Sequence, residues 1–156
     1  MRLYQYIKDL RVCFPDYAIK QRKTEYNQIY ALICLPNCQN ELKLLYERKY
    51  VVWDFDDYHA FYYLNEFDYL TEELSKFLSG ELCVISLYIQ DKHIESFLTE
   101  SSRLSTDYIK KEIYNIANLN LNQQNFGSGY VKISFADSNY DKILDFGYNC
   151  AYIDNY

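Results

Sequence analysis

Apolar residues Leu3, Ile7, Leu10 and Phe14 recur at helical intervals at the start of the chain, which predicts an amphipathic helix terminated by Pro15. Gln28 to Leu35 is a short apolar run closed by Pro36-Asn37 and reads as a buried strand. Asn40 is placed to cap a short helix reaching about Arg48. Tyr50-Val51-Val52-Trp53 is β-branched and aromatic, a strand that runs into Asp54-Phe55-Asp56-Asp57. A further helix is expected from Thr71 as N-cap, with Glu72 and Glu73 in its first turn, a face of Leu70, Leu74, Phe77 and Leu78, and Gly80 as its stop.

Leu82 to Gln90 has the continuous apolar character of a central strand. Two helices are expected after it, one on Ile94, Phe97 and Leu98, the other from Ser105 or Thr106 on Ile109, Ile113 and Ile116. The polar run Asn118 to Asn125 reads as a loop. Tyr130, Val131, Ile133 and Phe135 mark a strand and Ile143 to Ile153 another, joined by the turn-rich Asp137 to Asp141 as a closing antiparallel hairpin. With no internal repeat and no Pro- or Gly-rich linker, the pattern predicts one α+β domain over residues 1–156, a mixed sheet of about five strands with helices packed against it.

A length of 156 residues suits one core, and a hydrophobic fraction of 49% is enough to fill it. The longest apolar run, Tyr30 to Leu35, is far short of the roughly 18 residues a membrane helix needs. Charges break the amino-terminal segment where a secretory signal would keep its apolar stretch, so a cytoplasmic location is expected. Five cysteines without framework spacing fit reduced, mostly buried thiols. Cys34 and Cys38, with His59 and His93, are the only candidates for zinc, and no metal or other cofactor is expected.

Charge changes the picture. Residues 1–49 carry nine Lys or Arg against five acids, whereas residues 50–75 carry seven acids and no Lys or Arg. Net charge is −6, which repels phosphate backbones and anionic lipid and attracts basic partners, so neither nucleic acid nor membrane is expected to bind. The acidic stretch is also dense in aromatics, from Tyr50 through Trp53, Phe55 and Phe61 to Tyr69. Tyrosine joins a rigid apolar ring to a polar tip and often anchors interfaces. Asp54, Asp56, Asp57, Tyr58, Tyr62, Tyr63, Glu66, Asp68 and Tyr69 are therefore the expected partner-binding residues, and a basic protein the expected partner. The alternative is compositional, since the 19 tyrosines run the length of the chain with many Asn, Ile, Lys and Phe, as AT-rich coding produces.

Candidate chemistry is sparse. Tyr50-Val51-Val52-Trp53-Asp54-Phe55-Asp56 delivers two carboxylates in a D-x-D pattern and resembles the first motif of haloacid-dehalogenase-type phosphatases. That resemblance implies Asp54 as nucleophile and Asp56 as general acid and base beside magnesium, with Asp137 and Asp141 imitating the later acidic motif. Tyr58 stands where that family has Thr or Val, and about fifty residues precede a motif that normally opens the fold. An EF-hand is excluded because His59 occupies the position of the turn glycine. Phe126-Gly127-Ser128-Gly129-Tyr130 opens a strand and not a helix, so it reads as a turn and not a phosphate loop. No spacing pairs His59 or His93 with a cysteine nucleophile.

In overall character the chain resembles the small immunity proteins of bacterial polymorphic-toxin and contact-dependent growth inhibition systems, on the cluster Asp54 to Asp57, Tyr58, Tyr62, Tyr63, Glu66, Asp68 and Tyr69. The resemblance implies a cytoplasmic inhibitor that binds and neutralises a cognate toxin, possible targets including nucleases with basic clefts. The expected function is thus protein-binding inhibition, with the magnesium-dependent phosphatase as the alternative.

Overall fold

A computed structural model describes residues 3–121 and 126–156 and shows an α+β protein whose two sheets are both antiparallel. The chain forms two compact units, 1–79 with 136–139 and 80–135 with 140–156.

The first unit opens with helix α1 (Leu3–Cys13), followed by strands β1 (Ile19–Lys23), β2 (Ile29–Ile33), β3 (Leu42–Tyr46), β4 (Tyr50–Phe55) and β5 (Tyr58–Tyr63), and then helix α2 (Phe67–Leu78). The strands form a meander in chain order, each antiparallel to the next. Strand side chains alternate between faces, so one face of this sheet buries Ala31, Ile33, Leu42, Leu44, Val51, Trp53 and Phe55. Tyr6, Ile7 and Leu10 of α1 and Leu70, Leu74 and Phe77 of α2 are buried with them. Trp53, wholly buried, meets Tyr58 and Phe77 edge-on at 5.7 and 5.5 Å and stacks on Tyr62 at 6.3 Å. Residues 136–139 join this unit through Ser138 N–H, which donates to the Asn37 carbonyl at 2.9 Å.

In the second unit β6 (Leu82–Ile89) lies between β7 (Lys92–Glu100) and β8 (Gly129–Ser134), and β9 (Lys142–Phe146) borders β8. Helix α3 (Thr106–Leu121) contributes Ile109, Ile113, Ile116 and Ala117 to a core completed by Ile85, Leu87, Ile89, Val131, Ile133, Leu144 and Phe146. No helix among the described residues is long and apolar enough to cross a membrane.

The α+β class, α1, the strand after Gln28, the central strand β6, the helix beginning at Thr106 and the β8–β9 hairpin agree with the sequence pattern, except that β9 stops at Phe146 and the expected strand up to Ile153 gives way to a helical turn at Tyr148–Cys150. Several expectations need correction. There are two antiparallel sheets of five and four strands where one mixed sheet of about five was expected, because the two segments read as helices are strands and Ile19–Lys23 and Tyr58–Tyr63, to which the sequence pattern assigns no element, are strands as well. Leu42 to Tyr46 has helix-forming residues, but Leu42 and Leu44 alternate inward and pair with β2 and β4, so tertiary pairing overrides propensity. Ile94, Phe97 and Leu98 lie on β7, which Gln90 and Asp91, both at positive φ, turn back against β6. Helix α2 starts at Phe67, and Thr71 lies inside it with its hydroxyl donating to the Asp68 carbonyl at 2.9 Å. Asn118 to Leu121 continue α3, and residues 122–125 of the expected loop lie outside the described residues. Cys83 and Cys150 are buried, Cys34 and Cys38 half-buried and Cys13 exposed, so burial of the thiols is less general than expected.

Glycine matters most at position 129, where an added Cβ would lie 2.0 Å from the Tyr88 carbonyl oxygen of the paired strand. At Gly80, with φ +82°, the surrounding space is open and only backbone strain resists a side chain. Gly129→Ala is expected to destabilise by about 3 kcal/mol and Gly80→Ala by about 1 kcal/mol. Urea unfolding of both variants checks the order, and an unchanged midpoint for Gly129→Ala would show that β8 can move away from β6.

Candidate functional site

Asp56 and Asp57 form the two-residue turn between β4 and β5, with Asp56 at φ +56°, a conformation Asp tolerates better than most residues. The turn sets the register Phe55↔Tyr58, Trp53↔Ala60 and Val51↔Tyr62, with Asp54↔His59, Val52↔Phe61 and Tyr50↔Tyr63 between them. Alternation then sorts the side chains. Trp53, Phe55, Tyr58 and Tyr62 turn to the helix-covered face, and Tyr50, Val52, Asp54, His59, Phe61 and Tyr63 to the other.

The outward set makes an aromatic surface. Phe61 is 67% and Tyr63 63% exposed, Tyr50 meets Phe61 edge-on at 5.5 Å, and the three rings line a hollow of about 320 Å³. Beside them Asp54 holds His59 Nδ1 at 3.2 Å. At the end of β5 the Glu66 carboxylate accepts the Tyr63 N–H at 2.8 Å, and Asp68 and Tyr69 follow, both exposed, in the first turn of α2. Acidic residues therefore stand at both ends of the hairpin's outward aromatic row.

Of the nine residues expected to bind a partner, Asp54, Tyr63, Glu66, Asp68 and Tyr69 are exposed or half-exposed, as are Asp56 and Asp57 at the turn. Tyr58 and Tyr62 are drawn inward, only 8% and 6% exposed, because their strand positions share the face of Trp53. Their surface role is corrected to a structural one. Tyr62 donates to Glu73 Oε2 at 2.5 Å and Tyr69 to Glu73 Oε1 at 3.0 Å, so one carboxylate ties β5 to α2. Burial pushes the Tyr58 phenol up to about 12, and burial with the Glu73 bond pushes Tyr62 up as well. Tyr50 and Phe61 join the surface in their place; the turn at Asp56-Asp57, once recognised, would have assigned both by counting in twos.

The remaining candidates for chemistry are dispersed. Asp137 Oδ1 accepts the Asn139 N–H at 3.0 Å and Asp141 Oδ1 the Phe135 N–H at 2.7 Å, both local turn contacts. Among the described residues no three His, Cys, Asp or Glu side chains gather as metal ligands. His93 Nε2 bonds Ser96 Oγ at 2.7 Å. Burial raises the Cys83 thiol to about 12 and the Cys150 thiol to about 11, so both are protonated at neutral pH. Comparison with protein-family models, curated proteins and solved structures finds no match.

A buried phenol raised above its ordinary 10.0 is bound in its neutral form, so its contribution is complete below that pH and is lost as the folded protein is forced to ionise it. Stability is expected to fall as pH rises from 10.0 towards about 12, and Tyr58→Phe to flatten part of that fall. Glu73→Gln, which leaves one of the two tyrosine hydroxyls without its carboxylate acceptor, should cost about 1–2 kcal/mol at neutral pH. Denaturant titrations across alkaline pH check both, and a Tyr58→Phe profile identical to that of the parent protein would contradict the first.

Proposed function

We propose that this protein is a binding inhibitor of the immunity type, which neutralises a basic protein toxin by covering it with the acidic aromatic face of the β4–β5 hairpin. The observation that carries this reading is the Tyr50–Phe61–Tyr63 hollow standing between the acids of the turn and those of Glu66 and Asp68. Aromatic rings that lose water on contact supply most of an interface's affinity, and surrounding charges of one sign speed encounter with a partner of the other. Residues 50–75 contain no Lys or Arg, and Lys43, the cation set opposite Asp54, offsets only part of that field. A nuclease with a phosphate-binding cleft is a fitting target, since carboxylates among aromatics can occupy the track that nucleic acid would follow. An inhibitor of such a toxin would act in the cytoplasm and without a cofactor.

The phosphatase reading uses the same acids, but no observation favours it. Asp54 faces outward one pair before the turn of an antiparallel hairpin and is engaged by His59, while Asp56 lies in the turn.

Capture of partners from native lysate at low and then high salt is the first test. A single basic protein is expected, released by salt. With that partner purified, Asp57→Asn combined with Asp68→Asn should lower the association rate roughly tenfold and hardly change dissociation, whereas Phe61→Ala should speed dissociation by roughly thirtyfold. Absence of any salt-released partner, together with magnesium-dependent phosphatase turnover that Asp54→Asn and Asp56→Asn abolish, would replace this reading with the enzymatic one.

A further inference from the structure

The five-stranded sheet has two edges of opposite character. β1 presents Lys20, Gln21, Arg22 and Lys23, all exposed, and charged edge residues of this kind discourage other strands from pairing. β5, Tyr58-His59-Ala60-Phe61-Tyr62-Tyr63, contains no Lys, Arg or Pro and has a strand neighbour on one side only. A two-residue hairpin closed by Phe55 and Tyr58 directs the main-chain groups of Tyr58, Ala60 and Tyr62 towards β4. Those of His59, Phe61 and Tyr63 consequently point away from the sheet. Glu66 marks this direction, since its carboxylate accepts the outward Tyr63 N–H and so ends the edge there. Between the Asp56-Asp57 turn and that cap lie the amide and carbonyl groups of His59 and Phe61, on residues whose side chains are exposed.

We propose that β5 is a docking edge for an extended basic segment of the partner, which adds as a sixth strand by bonding the main chain of His59 and Phe61. This rests on the basic-partner reading above and specifies how the partner is held. Alternate side chains of an added strand would share the outer face with Phe61 and Tyr63, placing apolar groups against the Tyr50–Phe61–Tyr63 hollow. Lysines or arginines of the same segment would meet Asp56 and Asp57 at one end and Glu66 and Asp68 at the other. Charge also separates this occupant from a second copy of the chain. Two β5 edges paired antiparallel would bring the turn acids of one copy to Glu66 and Asp68 of the other, and β1 laid on β5 would leave free edges at both ends, a contact that does not close.

The probe is an alternating lysine–valine peptide, blocked at both termini, compared with an analogue N-methylated on one edge so that it cannot bond there. Amide hydrogen exchange of the protein is followed at low ionic strength. The expected result is exchange at His59 and Phe61 slowed roughly tenfold or more by the parent peptide and unchanged by the analogue. His59→Pro, whose missing N–H faces away from β4, should abolish that protection while the unliganded variant keeps its amide protection in β3 and β4. Equal binding of both peptides without protection at β5 overturns strand addition and leaves the basic-partner reading standing. Protection that rises with protein concentration alone overturns it in favour of self-association. Failure of the parent peptide to bind also overturns it, and the salt-dependent capture described above then decides the broader reading independently.

Discussion

Burial of Trp53 is the constraint on which the candidate face depends. Its ring is wholly enclosed by Tyr58, Tyr62 and Phe77, and enclosure of so large an apolar surface is worth several times the energy of any surface contact nearby. A slip of one residue in β4 would take Trp53 out and bring Asp54 in, burying a carboxylate in an aromatic core. Because Asp56 and Asp57 make a turn of two residues, the parity imposed on β4 passes directly to β5. Tyr58 and Tyr62 must then follow Trp53 inward, and Phe61 and Tyr63 must face out.

This arrangement explains how one stretch can supply both a core layer and an exposed aromatic face. Residues 50–75 hold the acids and aromatics in alternation, and the sheet separates them into a core layer beneath α2 and an outer layer facing solvent. Glu73 works at the seam, holding the inward Tyr62 and the exposed Tyr69 on one carboxylate. The two edges of the sheet differ in charge, with Lys20, Arg22 and Lys23 on β1 and Asp56, Asp57, Glu66 and Asp68 around β5. An acidic aromatic surface is thereby localised on one hairpin and the start of the helix that follows it.

Much of the fold was legible in the chain. Helix α1 announced itself by the spacing of Ile7, Leu10 and Phe14 and by Pro15, and α2 by its apolar face and by Gly80, which does take the positive φ of a helix stop. β6 was legible because its side chains are buried on both faces, which leaves an apolar run broken only by Ser86. β3 and β7 were not, since their leucines, lysines and glutamates suit helices and only their partners make them strands. The turn before β7 was hidden as well, because Gln90 and Asp91 occupy positive φ without the glycine that usually signals it.

The amino-acid sequence by itself determined the α+β class, the segregation of charge and the concentration of aromatics and acids between residues 50 and 75, since these follow from composition and local periodicity. Tertiary structure alone decided which of those aromatics are exposed. Tyr58, Phe61, Tyr62 and Tyr63 are neighbours of similar chemistry, and no local preference distinguishes them. Their fates diverge because Trp53, across the sheet, claims one face of β5 for the core and so leaves the other to solvent.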